Sequence, residues 1–228
     1  HRPAPPGLGP ETDSGGPVAR DGSETRARLL AEAEQQFAEV GIWQAAMGNI
    51  VRSAGQRNTS ALTYHFGSRE GVLDAILAEH GNPVDTHRGE LLAALRLEPT
   101  PPADVRPLVS ALVRPMTAVL ACPRGRRYVR IVAQLSDRFP AWQNVPGGVD
   151  QTHLTEALVE LEARADGPDS TIRSARLVAM IRLMTSSLAA RAVTLDSGAA
   201  PLLDDPSYEQ DLTDVLVGVL TTPSTLVA

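Results

Sequence analysis

Apolar residues recur along most of this chain at three- and four-residue steps, the period of helices that bury one face. The pattern opens at Ser23 or Glu24. Leu30, Ala33, Phe37 and Val40 then share a side, and Gly41 ends the run as a C-terminal glycine does. Met47, Ile50, Val51 and Ala54 form a second, short stripe closed by Gly55. After the polar turn of Gln56, Arg57 and Asn58, a third short helix turns Ala61, Leu62 and Phe66 inward. Gly67 and Ser68 break it, and Ser68 is placed as the N-cap of a fourth helix carrying Val72, Leu73, Ile76 and Leu77. That helix is predicted to run to Leu97, bent at Gly81 and Pro83, and to end before Pro99, Pro101 and Pro102. Further helices are predicted over 103–121, 124–136, 149–165, 169–197 and 207–221, with Pro115 kinking the first of them. No stretch alternates at period two and there is no internal repeat. The pattern reads as all-α.

Composition agrees. Aromatic residues are only 4% of the 228, while Ala and Leu are plentiful, which suits aliphatic helix packing better than a sandwich or barrel. Hydrophobic residues at 43% and charged residues at 21% are ordinary for a globular protein. No secretory signal and no run of about 18 apolar residues stands out, so no membrane partner is expected. Cys122 is the single cysteine, which excludes an internal disulfide and fits a reducing, cytoplasmic setting. The net charge of -6, with all 21 basic residues Arg, gives no global attraction to nucleic acid. Any such contact must come from a local patch.

That patch lies between Gly41 and Glu70, where Arg52, Arg57 and Arg69 stand against Glu70 alone. Two short amphipathic helices joined by a glycine-containing turn are the ingredients of a helix-turn-helix. Ser53, Ala54, Gly55 and Ala61 supply small residues where the helices cross. Arg57, Asn58, Thr59, Ser60, Thr63 and Tyr64 supply hydrogen-bonding groups on the outer face of the second helix, suited to base edges and phosphates. Phe66 reads as core, and Tyr64 and His65 as outward groups near a DNA backbone. Arg69 at a helix start reads as a phosphate clamp, with Arg26 and Arg52 balanced between phosphate contact and plain solvation.

At these residues the sequence resembles the tetracycline-repressor (TetR) family of regulators. The resemblance covers roughly residues 24–78: the first helix ending at Phe37 to Gly41, the Ile50–Ala54–Gly55 block, Leu62, Tyr64–His65–Phe66, Gly67–Ser68, Arg69–Glu70, Leu73 and Ala75. Two departures stand out. Ala45 and Ala46 occupy the start of the second helix, where the family has Thr or Ser, so a capping hydroxyl is missing. The turn, Gln56-Arg57-Asn58-Thr59, is also one residue longer. The resemblance implies a homodimer on a double-stranded DNA operator, a recognition helix in each major groove, and release when a small-molecule effector enters the C-terminal domain. The expected division is therefore a disordered arm at 1–22, a three-helix helix-turn-helix domain at 23–68, and a larger helical ligand-binding and dimerisation domain at 69–228.

Within that larger domain, Leu112, Met116, Val119, Val132, Leu135, Trp142, Leu154, Leu158, Met180 and Met184 are expected to converge, as filled core or as the lining of an apolar ligand cavity. Leu177, Ile181 and Leu188, with Leu212, Val215, Leu216, Val219 and Leu220, are expected to pair with their copies in a two-fold interface. His80 and His87 share a helical face but lack a convincing third metal ligand, and read as surface residues. Cys122 beside Arg124, Arg126 and Arg127 is an inert thiol or a redox sensor. The run from Arg124 to Arg130 faces an acidic ligand or solvent. No phosphate loop, nucleophile elbow or zinc quartet appears, so neither enzyme activity nor a cofactor is expected. The alternative reading is a helical ligand binder or adaptor whose helix-turn-helix no longer reads DNA.

Overall fold

The computed structural model describes residues 17–58, 60–98, 104–136 and 149–225, and among these there are nine α-helices and no strand. Helices α1 (Pro17–Glu39), α2 (Met47–Ser53), α3 (Ser60–Phe66) and the start of α4 (Arg69–Arg96) close around one apolar core, the head. The rest of α4 joins α5 (Arg106–Ala118), α6 (Pro123–Ser136), α7 (Thr152–Arg164), α8 (Ser170–Asp196) and α9 (Asp205–Thr221) around a larger core, the body. Pro17, whose fixed φ suits the first position of a helix, opens α1 ahead of the Ser23 expected from periodicity. This opening turn carries no apolar stripe, so the pattern could not reveal it.

The head core takes Leu29, Leu30, Ala33 and Phe37 from α1, Ile50 and Val51 from α2, Leu62 from α3, and Val72, Leu73 and Ile76 from α4. It also takes Ile131, wholly buried, from α6 of the body. The helical stripe of α6 that includes Arg124, Arg127, Ile131 and Gln134 meets the head. Gln134 seals the junction, donating from Nε2 to the Phe37 carbonyl at 2.8 Å and accepting the Ile42 N–H at 2.8 Å.

α4 passes Gly81 and Pro83, the residues at which a bend was expected, as one continuous helix. Its Asp85, 2% exposed, accepts the backbone N–H of His153 at 2.9 Å and of Leu154 at 2.8 Å. It thereby caps α7, whose own N-cap residue Gln151 gives no side-chain hydrogen bond. Arg88, also buried, lies against the same carboxylate and neutralises it. Burial draws the Arg88 guanidinium below its ordinary value and pushes the neighbouring Tyr128 hydroxyl up to about 12.

Two expectations about the body need correction. Leu177, Ile181, Leu188, Leu212, Leu216 and Leu220 are packed inside the chain's own core, with Val219 partly buried against it, so they are not a free dimer stripe. Of that expected set only Val215 stands outward. The reason is that α8 has two sides of low polarity, and α5, α6 and α9 claim the bulkier one. The other carries Ala175, Ala179, Leu183, Ser186, Ala190 and Val193, all exposed. α8 is long and apolar enough by composition to cross a membrane, but its heavy apolar side is core, with Met180 and Leu188 wholly buried.

Leu112, Met116, Leu158, Met180 and Met184 do converge in the body core, with Val119, Val132 and Leu154 against it. Leu135 does not: it packs against the head core, because α6 points that turn at α1. Trp142 lies outside the described residues.

Candidate nucleic-acid interface

The two short helices of the head are set by their ends. α2 starts at Ala46 with no side-chain cap, as its lack of a hydroxyl required. It ends where Gly55 takes φ +73, a left-handed turn that L residues resist. Asn58 then caps the next helix, its Oδ1 accepting the Ser60 N–H at 3.0 Å. After α3, Ser68 caps α4, its hydroxyl accepting the Gly71 N–H at 3.2 Å. Gly71 is there for closeness: a Cβ would lie 1.9 Å from the Phe66 carbonyl oxygen. Only glycine lets α4 leave α3 at this angle.

With Leu62 buried, α3 turns its opposite side outward. Ser60 and Thr63 are exposed, and Tyr64 is 84% exposed with its ring edge-on to His65 at 5.0 Å. Arg57 and Asn58 are exposed at the entry to the helix, and Thr59 lies outside the described residues. Arg52 is exposed on α2 and reaches Asn49 at 3.3 Å. Arg26 of α1 is exposed but not merely solvated: its guanidinium sits 4.8 Å over the Phe66 ring. Phe66, expected wholly in the core, is therefore half-buried under a cation. His65 is half-buried beside it.

Arg69 departs most from expectation. It is half-buried, donates from Nη1 to the Ile42 carbonyl, and lies 5.9 Å over the Phe37 ring. It ties α4 to the α1–α2 connection. It also lines an open cleft of about 410 Å³ between α2, α3 and α4, together with Met47, Gly48, Ser60, Thr63 and Ser68. Met47, Gly48 and Ser68 were not anticipated as interface residues. Nothing in their chemistry flags them; only the crossing of α2 and α3 brings them to the polar face. Glu70, the one carboxylate of the segment, is exposed and held below the usual carboxylate range, first by its own backbone N–H and then by Ser68. It stays ionised at neutral pH, and three arginines outweigh it.

The arginines of the basic run of α6 are taken up in ion pairs within the chain. Arg124 pairs with Glu34 and Glu79, Arg127 with Glu34, and Arg126 and Arg130 with Asp196. His80 is likewise no surface residue, since its Nε2 lies 2.9 Å from Glu34, whereas His87 is exposed. Among the described residues no three His, Cys, Asp or Glu side chains gather as a metal site.

No protein-family model matches the chain. Over 115 residues, half of this chain, it is 27% identical to the HTH-type transcriptional regulator SrpR of Pseudomonas putida, and the match covers 48% of that protein. It is also 27% identical over 115 residues to the HTH-type transcriptional regulator TtgW of the same species, covering 77% of it. The match thus spans about half the length of the first relative and three quarters of the second. Among solved structures, NalD, the secondary repressor of the MexAB-OprM multidrug efflux pump in Pseudomonas aeruginosa, superposes with a TM-score of 0.55 at 16% identity, over 89% of this chain and 98% of NalD. A protein from Rhodococcus sp. assigned to the TetR family of transcriptional regulators gives 0.50 at 16% identity, over 87% of this chain and all of that one. The chain has the all-helical fold of TetR-family regulators.

Proposed function

We propose that this chain is a cytoplasmic, one-component transcription regulator of the TetR family, a homodimer that reads double-stranded DNA with α3 and is released by a small, largely apolar effector held in the body. The observation that carries the reading is the outer side of α3, where Ser60, Thr63 and the 84%-exposed Tyr64 stand above a buried Leu62, flanked by exposed Arg57. A polar, outward helix side on a positive patch matches a major groove and its phosphates. Arg69 uses one N–H on Ile42 and keeps others for a phosphate entering the cleft. The description of NalD as a repressor favours repression over activation.

The second half of the proposal concerns assembly. The expected four-helix pairing of α8 and α9 is retained, but on their outward sides, with Ala175, Ala179, Leu183, Ser186, Ala190 and Val193 of α8 meeting a copy alongside Val215 and Gly218 of α9. Small residues allow two long helices close approach, and a two-fold axis makes the surface self-complementary. Leu183→Asp should give a monomer by light scattering at micromolar concentration; a wild-type monomer there would refute the pairing.

DNA reading is tested by fluorescence anisotropy with the duplex upstream of the chain's own coding region, at a series of salt concentrations. Tyr64→Ala and Arg57→Ala should each weaken binding, and Arg57→Ala should lower the salt slope by about one if it neutralises a phosphate. Unchanged affinity in the double variant would show that this side is not the reader. Wild-type protein without salt-dependent binding would favour the adaptor reading instead.

A further inference from the structure

The junction of head and body contains an ionised side chain that neither DNA contact nor effector binding uses. Glu34, on the side of α1 turned to the body, is wholly buried. Its Oε2 lies 2.9 Å from His80 Nε2 of α4 and 2.7 Å from Arg124 Nη2 of α6. Arg124 Nε adds contacts of 3.3 and 3.2 Å to the two oxygens, and Arg127 stands 3.8 Å away. The cluster is anchored from outside as well. Arg124 reaches Glu79 at 2.7 Å, and the His80 ring stacks on Tyr128 at 5.2 Å. One carboxylate thus joins three helices, one from the head, one shared by head and body, and one from the body.

A buried carboxylate is a poor way to add stability, because the cost of desolvation consumes most of the attraction. What it enforces is geometry. Apolar contacts such as Ile131 tolerate sliding, whereas a carboxylate removed from its partners becomes an uncompensated buried charge. We propose that Glu34, with His80 and Arg124, is a charged clasp that fixes the angle of the head on the body and must open for that angle to change. Glu34 is a positioning residue in this scheme. Opening the clasp needs no unfolding of either core, since Arg124 is partly exposed and can follow Glu79 into solvent. The clasp itself does not depend on what the head binds; only its expected effect on DNA rests on the function proposed above.

The test is hydrogen exchange by mass spectrometry on the full chain, comparing wild type, Glu34→Gln and Arg124→Gln. Arg124→Gln serves should the first variant fail to fold. The expected result is exchange at least tenfold faster in the second half of α1 and in residues 40–46, with α8 and α9 unchanged. Uniform acceleration across both cores, or none anywhere, overturns the proposal. A second readout is affinity for the upstream duplex, which should fall several-fold with the salt slope intact, because no phosphate contact is removed. A reduced slope would make Arg124 a phosphate ligand and overturn the clasp. Wild-type protein that binds no DNA would refute the proposed function and leave the exchange result to judge the clasp.

Discussion

Replacing Ile131 with Ala tests whether the head is a separate folding unit or one built partly from the body. The side chain is wholly buried, belongs by sequence to α6, and packs among head residues. The substitution removes three carbons, which at about 0.8 kcal/mol each gives roughly 2.5 kcal/mol of lost transfer energy. The cavity left behind raises this toward the upper end of the range of about 2–5 kcal/mol for Ile→Ala in a core. For a chain of this size each kcal/mol moves the melting midpoint by about 2–4 °C, so a fall of roughly 5–20 °C is expected. Ile181→Ala, at a comparably buried site in the body core, is the matched control. Thermal melts followed by circular dichroism give the midpoints, and hydrogen exchange shows where protection is lost. Ile131→Ala should loosen α1 to α3 first, Ile181→Ala the body. A loss below about 1 kcal/mol, or an Ile131→Ala variant whose body loosens while its head does not, would refute the shared core.

Three further outcomes follow from the same geometry. Gly71→Ala should leave the body folded but abolish duplex binding, because the added carbon meets the Phe66 carbonyl and forces α3 and α4 apart; normal affinity would refute the close approach. Asp85→Ala should cost about 3–5 kcal/mol in urea denaturation, since it uncaps α7 and leaves Arg88 buried without its counter-charge; a change under about 1 kcal/mol would place the pair in solvent. For Glu34, burial is the largest single influence and would raise its carboxyl, but hydrogen bonds and charge from His80 and Arg124 together hold it below its ordinary 4.5. Its contribution is therefore present above the unfolded value and lost as the pH falls through the lower folded one. Wild type should lose its stability advantage over Glu34→Gln only below about pH 4.5, and a gap between their melting midpoints that stays constant down to about pH 3 would contradict this.

Much of the fold was legible because helices this amphipathic announce themselves, and Gly41, Gly55 and Ser68 mark ends that the backbone indeed uses. The outward side of α3 was legible for a similar reason: polar residues on a helix whose other side is Leu62 have nowhere to go but outward. What failed was anything requiring a choice between two acceptable partners. The stripe of Leu177, Ile181 and Leu188 suits a partner chain as well as it suits α5 and α9, and periodicity is blind to the difference. His80, Arg124 and Arg127 look solvated in one dimension; their shared partner Glu34 sits far away in sequence on a face that reads as ordinary helix surface. The tie that Arg69 makes to the head was hidden in the same way, its first hydrogen bond going to a carbonyl, a group that sequence cannot display.

The unbroken course of α4 has a consequence of scale. Its 28 residues, at about 1.5 Å each, make a rod of roughly 40 Å with Arg69 at one tip and Arg96 at the other. A tilt of about 5° about the far end swings the near tip by roughly 3.5 Å, close to the rise of one base pair. Had Gly81 and Pro83 divided the helix, much of that throw would have been absorbed at the joint. As it stands, a repacking around Leu92 that also freed His80 from Glu34 would be carried along the helix and magnified at the Arg69 tip.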